Sequence, residues 1–118
     1  MEGVRYKDMG YSLLLKVFGN SPKLRIIDIF LTNPYFDFSK EELVRELGMS
    51  KQTIYKSFRD LEALGIIKFS RAIGRARMYK INIEHPLVKK LDEIINEISL
   101  QIGREQQRKM KKAMAIAH

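Results

Sequence analysis

The 118-residue chain sets 22 Lys and Arg against 14 Asp and Glu, a formal charge of +8, which favours polyanions through phosphate neutralisation and counterion release. Its 45% apolar content suffices for one modest core. The absence of cysteine excludes disulfides, thiolate metal sites and a thiol nucleophile, while His85 and His118 stand far apart without a carboxylate set, so neither metal nor cofactor is expected.

No apolar run approaches the roughly 18 residues of a membrane span. The opening Met1–Asp8 lacks the basic-then-apolar plan of a signal peptide. The expectation is a soluble, cytoplasmic chain with no membrane partner. Residues 9–18 read as a short apolar helix stopped by Gly19-Asn20, and residues 1–20 as an N-terminal helical extension. Ser21-Pro22 then opens a helix, with a capping oxygen followed by proline at the first helical position. Leu24, Ile27, Phe30 and Leu31 recur at helical spacing through residues 22–33, and Pro34 ends the run. Phe36-Asp37-Phe38 is a short link able to pair as an edge strand. Ser39-Lys40-Glu41-Glu42 spells a capping box. The helix it opens, about residues 40–47, buries Leu43 and Leu47 and stops at Gly48.

Only Gly48-Met49-Ser50 separates that helix from the next, capped by Ser50 and running to Leu64 before Gly65. Two helices joined by a three-residue turn, with glycine supplying positive φ, make a helix-turn-helix. Leu43, Leu47, Met49, Ile54 and Leu61 can fill its interior. In the second helix Ile54, Phe58, Leu61 and Leu64 step at core-facing intervals. The other side carries Lys51, Gln52, Thr53, Tyr55, Lys56 and Arg59. Gln and Arg suit bidentate contacts to base edges; Lys, Thr and Tyr suit phosphates. Gln52, Thr53 and Lys56 are therefore the candidates for base readout, and Ser50 with the first-turn amides for a phosphate.

After Gly65 the period changes to two. Residues 66–71 and 77–83 read as strands around a turn at residues 72–76, a β-hairpin. Its tip places Arg71, Arg75 and Arg77 close together, suited to the DNA backbone or to an adjacent minor groove. Charge follows this surface. From Lys51 to Asn82 there are eight basic and two acidic residues, whereas residues 21–50 hold four basic and five acidic. A three-helix core followed by a basic hairpin is the winged helix-turn-helix plan, α+β and mainly α, over residues 21–84. Double-stranded DNA is the expected partner, with the nucleoid as the place of action.

Over residues 18–92 the chain resembles the winged-helix transcriptional regulators abundant in archaea. The carriers are Gly19-Asn-Ser-Pro-Lys-Leu-Arg25, Ser39-Lys-Glu-Glu-Leu43, Gly48-Met-Ser-Lys-Gln-Thr-Ile-Tyr55, Leu61-Glu-Ala-Leu-Gly65 and Gly74-Arg-Ala-Arg-Met-Tyr-Lys-Ile81. The resemblance implies a sequence-specific, usually dimeric DNA binder that represses or activates transcription. Val44 stands where many helix-turn-helix sequences have Ala. No effector domain is evident, so a small-molecule effector is unknown.

Pro86 opens a last helix reaching about residue 112, within a C-terminal segment of residues 85–118. Val88, Leu91, Ile95, Ile98 and Ile102 form an a/d seam, widened by Leu87 and Ile94. The expected use is a homodimer, with docking on the chain's own domain as the competing use of the first turn. Residues 103–112 carry five basic side chains and one acidic, a solvated tail or a second phosphate-binding arm. Other functions fit less well. A winged-helix module docking the transcription machinery calls for an apolar or acidic recognition face, and a non-specific architectural DNA binder stands as the other alternative. A nuclease needs clustered carboxylates, but Asp28, Asp37, Glu41, Glu42 and Glu46 fall at core-helix and cap positions. The chain is read as a binding protein, not an enzyme.

Overall fold

The computed structural model describes residues 13–117. Residues 1–12, which include the first part of the expected N-terminal extension, and His118 lie outside the described residues. In chain order the elements are α1 (Leu13–Phe18), α2 (Pro22–Thr32), α3 (Lys40–Leu47), α4 (Lys51–Ala63), β1 (Ile67–Ile73), β2 (Ala76–Ile81) and α5 (Pro86–Ala117). The fold is α+β and mainly helical, with one two-stranded antiparallel hairpin and a long C-terminal helix.

Local chemistry fixes the helix ends. Ser21 accepts from the Leu24 amide, and Pro22 takes the first position of α2. Asn33 closes that helix, its side-chain amide donating to the Ile29 carbonyl at 3.0 Å. The capping box of α3 is complete: the Glu42 amide donates to Ser39 Oγ at 3.1 Å, and the Ser39 amide donates to Glu42 Oε1 at 2.9 Å. Gly48, at φ +65°, ends α3 in the left-handed region that glycine enters without strain. Ser50 caps α4 two residues later.

The core lies where α2, α3 and α4 meet the base of the hairpin. Ile26, Phe30, Leu43, Ile54 and Phe58 are fully buried, each contributing about 1.5–3 kcal/mol of hydrophobic stabilisation. Phe30 meets Phe38 edge-to-face at 5.2 Å and Phe58 meets Tyr79 at 4.7 Å. Phe38 also exchanges backbone hydrogen bonds with Tyr79, at 2.8 and 2.9 Å. The Phe36–Phe38 link thus adds a single bridge to the hairpin edge, as its sequence suggests.

The end of α4 differs from the expected stripe. The Ile66 amide donates to Leu61 O and the Gly65 amide to Glu62 O, both at 3.0 Å. Gly65 has φ +77°. This is a Schellman closure. Leu64, still in the helical region as the C-cap, faces solvent at 63% exposure, and the reversal at Gly65 puts Ile66 in the core at 3%. The helical period ends one residue before the sequence pattern does.

Helix α5 runs unbroken to Ala117, beyond the expected residue 112, because the stretch after Gly103 is built of strong helix formers without proline. The basic run of residues 103–112 is therefore exposed helix rather than frayed tail. His85 anchors the start of α5. Its Nδ1 accepts from the Leu87 amide at 3.1 Å, so Nε2 carries the proton and donates to Leu64 O at 3.0 Å.

The seam on α5 is split. Val88 is 2% exposed and belongs to the chain's own core, with Leu91 and Ile95 packed against that core. Val88 is thus withdrawn from a two-helix seam, and Leu91 and Ile95 are half-buried against the domain. Leu87, Ile94 and Ile102 remain 41–45% exposed, with Ile98 half-buried between them.

Candidate nucleic-acid interface

Helix α4 presents Lys51, Gln52, Lys56 and Arg59 to solvent, with Thr53 half-buried. The opposite face buries Ile54, Ser57, Phe58 and Leu61. The helix is therefore fixed by its apolar side and free to offer a cationic one. Ser50 Oγ accepts from the Thr53 amide at 3.2 Å and donates to Thr53 Oγ1 at 2.8 Å. Both hydroxyls are thus held in the cap of the first turn.

The start of α2 lies beside this face. Lys23 Nζ pairs with Asp60 at 3.0 Å. The Asp60 carboxyl is held below its ordinary range, first by that hydrogen bond and charge, then by Lys56 and Arg59. One of the two acids in the Lys51–Asn82 segment is thus compensated by a lysine from outside it. Ser21, Pro22, Lys23, Thr53, Lys56, Ser57 and Asp60 line a shared groove of about 450 Å³.

Tyr55 leaves the outer face it was expected to occupy. It is half-buried, and its hydroxyl donates to Glu41 Oε2 at 2.5 Å. That bond, with burial and the Glu41 charge, raises the phenol above its usual range. Lys40 and Lys51 each place Nζ 5.2 Å from the Tyr55 ring centre, within reach of cation–π attraction.

The hairpin sorts its arginines by a bulge. Phe69 faces Tyr79, but Arg71 faces Met78, because the register shifts between Phe69 and Arg71. Directly opposed residues share a sheet face. The extra residue, Ser70, therefore moves Arg71 onto the Met78 side and away from Arg77. There Arg71 donates two hydrogen bonds to Asp37, at 2.8 and 3.3 Å. The guanidinium holds the Asp37 carboxyl below its ordinary range, and the link before α3 is clamped to β1. Arg71, expected at the DNA surface, is paired with Asp37 while 63% of its side chain stays exposed.

Arg75 and Arg77 remain on the α4 side. Gly74, at φ +59°, takes the first central position of the two-residue turn and leaves Arg75 exposed at the tip. Arg77 stacks 4.3 Å above the Phe69 ring centre and donates from Nε to the Tyr79 hydroxyl at 3.2 Å. Arg75 and Arg77 line a recess with Lys40, Glu41, Tyr55 and Tyr79, so hairpin, α3 and α4 converge on one side of the molecule.

No protein-family model matches the chain. No curated protein matches it at a significant level.

Sequence reasoning missed Lys40, Glu41 and Lys23 as members of this surface. All three lie at helix starts, where capping accounts for them locally, and only the crossing of α2 and α3 over α4 brings them here. Among the described residues no helix is long and apolar enough to cross a membrane, and no group of three or more His, Asp or Glu comes together.

Proposed function

We propose that this chain is a winged helix-turn-helix protein that binds double-stranded DNA in a sequence-dependent manner, as a homodimer that regulates transcription. In this reading α4 enters the major groove and the hairpin is the wing. One observation carries it: Arg75 and Arg77 of the hairpin share a recess with Tyr55 of α4, a helix that exposes Lys51, Gln52, Lys56 and Arg59. A single duplex can then meet both. Gln52 and Arg59 suit base edges, and Lys51, Lys56, Arg75 and Arg77 suit phosphates or the minor groove. The motifs that resemble archaeal winged-helix regulators support the same reading.

A binding rather than catalytic role is supported by how the carboxylates are engaged. Glu42 completes a cap, Glu41 accepts from Tyr55, and Asp37 and Asp60 pair with Arg71 and Lys23. Dimerisation is supported by the Leu87, Ile94, Ile98 and Ile102 stripe, which steps along α5 beside the docked face and leaves apolar area in water. A two-fold dimer places two α4 helices on half-sites about one DNA turn, ~34 Å, apart.

Selection of bound sequences from a random duplex pool tests this. The expected product is an inverted repeat that weakens when Gln52 is replaced by Ala. Recovery of unenriched random sequence contradicts sequence-dependent recognition.

A further inference from the structure

The recess between the first turn of α3, α4 and the hairpin measures about 230 Å³. That is below the usual size of a drug-like pocket but ample for one phosphate group. Its lining combines three cations (Lys40, Arg75 and Arg77), two phenols (Tyr55 and Tyr79) and one carboxylate, Glu41.

Two of the cations are placed by aromatic walls, while Arg75 stays exposed at the hairpin tip. Lys40 Nζ sits 5.2 Å from the ring centres of Tyr55 and Phe58 and 5.7 Å from that of Tyr79. Arg77 lies over Phe69. Among the described residues, none of the three cations has a carboxylate oxygen within 4.0 Å. The single acid in the recess is bonded to the Tyr55 phenol and to none of them. A cationic recess thus carries one negative group, hinged on an exposed side chain and held by a hydroxyl.

We infer that this recess seats one backbone phosphate of the DNA strand passing between α4 and the wing, and that Glu41 holds the anion position in the free protein. The inference rests on the DNA-binding reading above. Phosphate entry displaces the Glu41 carboxylate, and the Tyr55 hydroxyl passes from carboxylate oxygen to phosphate oxygen. Because every sequence offers a phosphate there, Glu41 lowers affinity for all duplexes alike. It sets the level of binding rather than its selectivity.

Glu41→Gln keeps the shape and an acceptor for Tyr55 while removing the charge. Removing one like-charge contact near a protein surface should tighten binding about three- to tenfold in ~0.1 M salt. Fluorescence anisotropy with a labelled random-sequence duplex and with a selected site should show the same factor for both. Glu41→Ala should move affinity in the same direction. Glu97→Gln, on α5 and outside the recess, makes the same change in net charge and should alter affinity less than twofold. Circular dichroism establishes that each variant folds.

Wild-type binding, with Glu41→Gln no tighter than Glu97→Gln, overturns the phosphate seat and leaves the DNA reading standing. Tightening for only one of the two duplexes overturns the claim that Glu41 acts on all sequences alike. No binding by wild type or variants overturns both readings.

Discussion

Replacing Ile66 and Leu64 separately by Ala tests how the end of α4 aims the hairpin. Ile66 is 3% exposed and follows the Schellman closure, whereas Leu64 is 63% exposed. Truncating a buried Ile costs about 2–5 kcal/mol through lost transfer energy and the cavity left behind. Truncating an exposed Leu away from any special contact stays within about 0.5 kcal/mol. Against a typical domain stability of about 5–15 kcal/mol, Ile66→Ala removes a large fraction and Leu64→Ala almost none. Urea titrations followed by circular dichroism, at one protein concentration so that self-association is held fixed, give both values. The Ile66 midpoint should fall well below wild type with an unchanged m-value, while that of Leu64 stays put. A larger loss from Leu64 would mean that α4 continues through residue 64 and the hairpin starts later. The placement of Arg75 and Arg77 beside α4 would then be wrong.

Joint replacement of Ile94 and Ile102 by Lys should leave the fold intact and yield a monomer in sedimentation, whereas Val88→Lys should unfold the domain; a double variant that still self-associates removes the α5 stripe from the interface. Gln52→Ala should relax sequence preference by about 1–3 kcal/mol at one position, and Arg75→Ala should weaken all duplexes alike, both read by competition binding. The opposite assignment would follow if Arg75→Ala changed preference and Gln52→Ala did not. The Asp37 carboxyl is held below its ordinary range by Arg71, so its stabilisation is present above the unfolded carboxylate value and lost as pH falls through the lower folded value. Melting temperatures of wild type and Asp37→Asn should differ steadily from about pH 5 to 8 and converge below about pH 4; a difference that grows on acidification contradicts the clamp.

The elements with local signals were legible. Capping at Ser21, Ser39 and Ser50, the Gly48 turn and the Gly-centred hairpin all follow from short-range chemistry, and their positions hold to within a few residues. What escaped depends on tertiary geometry. Leu64 keeps the helical period in sequence, yet as the C-cap it faces solvent, and the reversal at Gly65 gives the core position to Ile66. A bulge at Ser70 leaves no mark in a run of alternating residues, so Arg71 reads as a tip cation when it sits on the Asp37 face. Val88 and Ile98 share one heptad pattern, but only the earlier turns of α5 lie against the domain. Lys40 and Glu41 look like capping-box residues because nothing local announces that Tyr55 crosses them.

The most direct test of the account is the affinity of the full chain for a duplex carrying a selected site, measured from low to moderate salt. Log affinity should fall linearly with log salt, by about 0.9 for each phosphate contacted, and the slope should shrink by roughly one contact in Arg75→Ala. Absence of binding in dilute buffer, or an affinity indifferent to salt, contradicts a cationic helix and wing addressed to DNA.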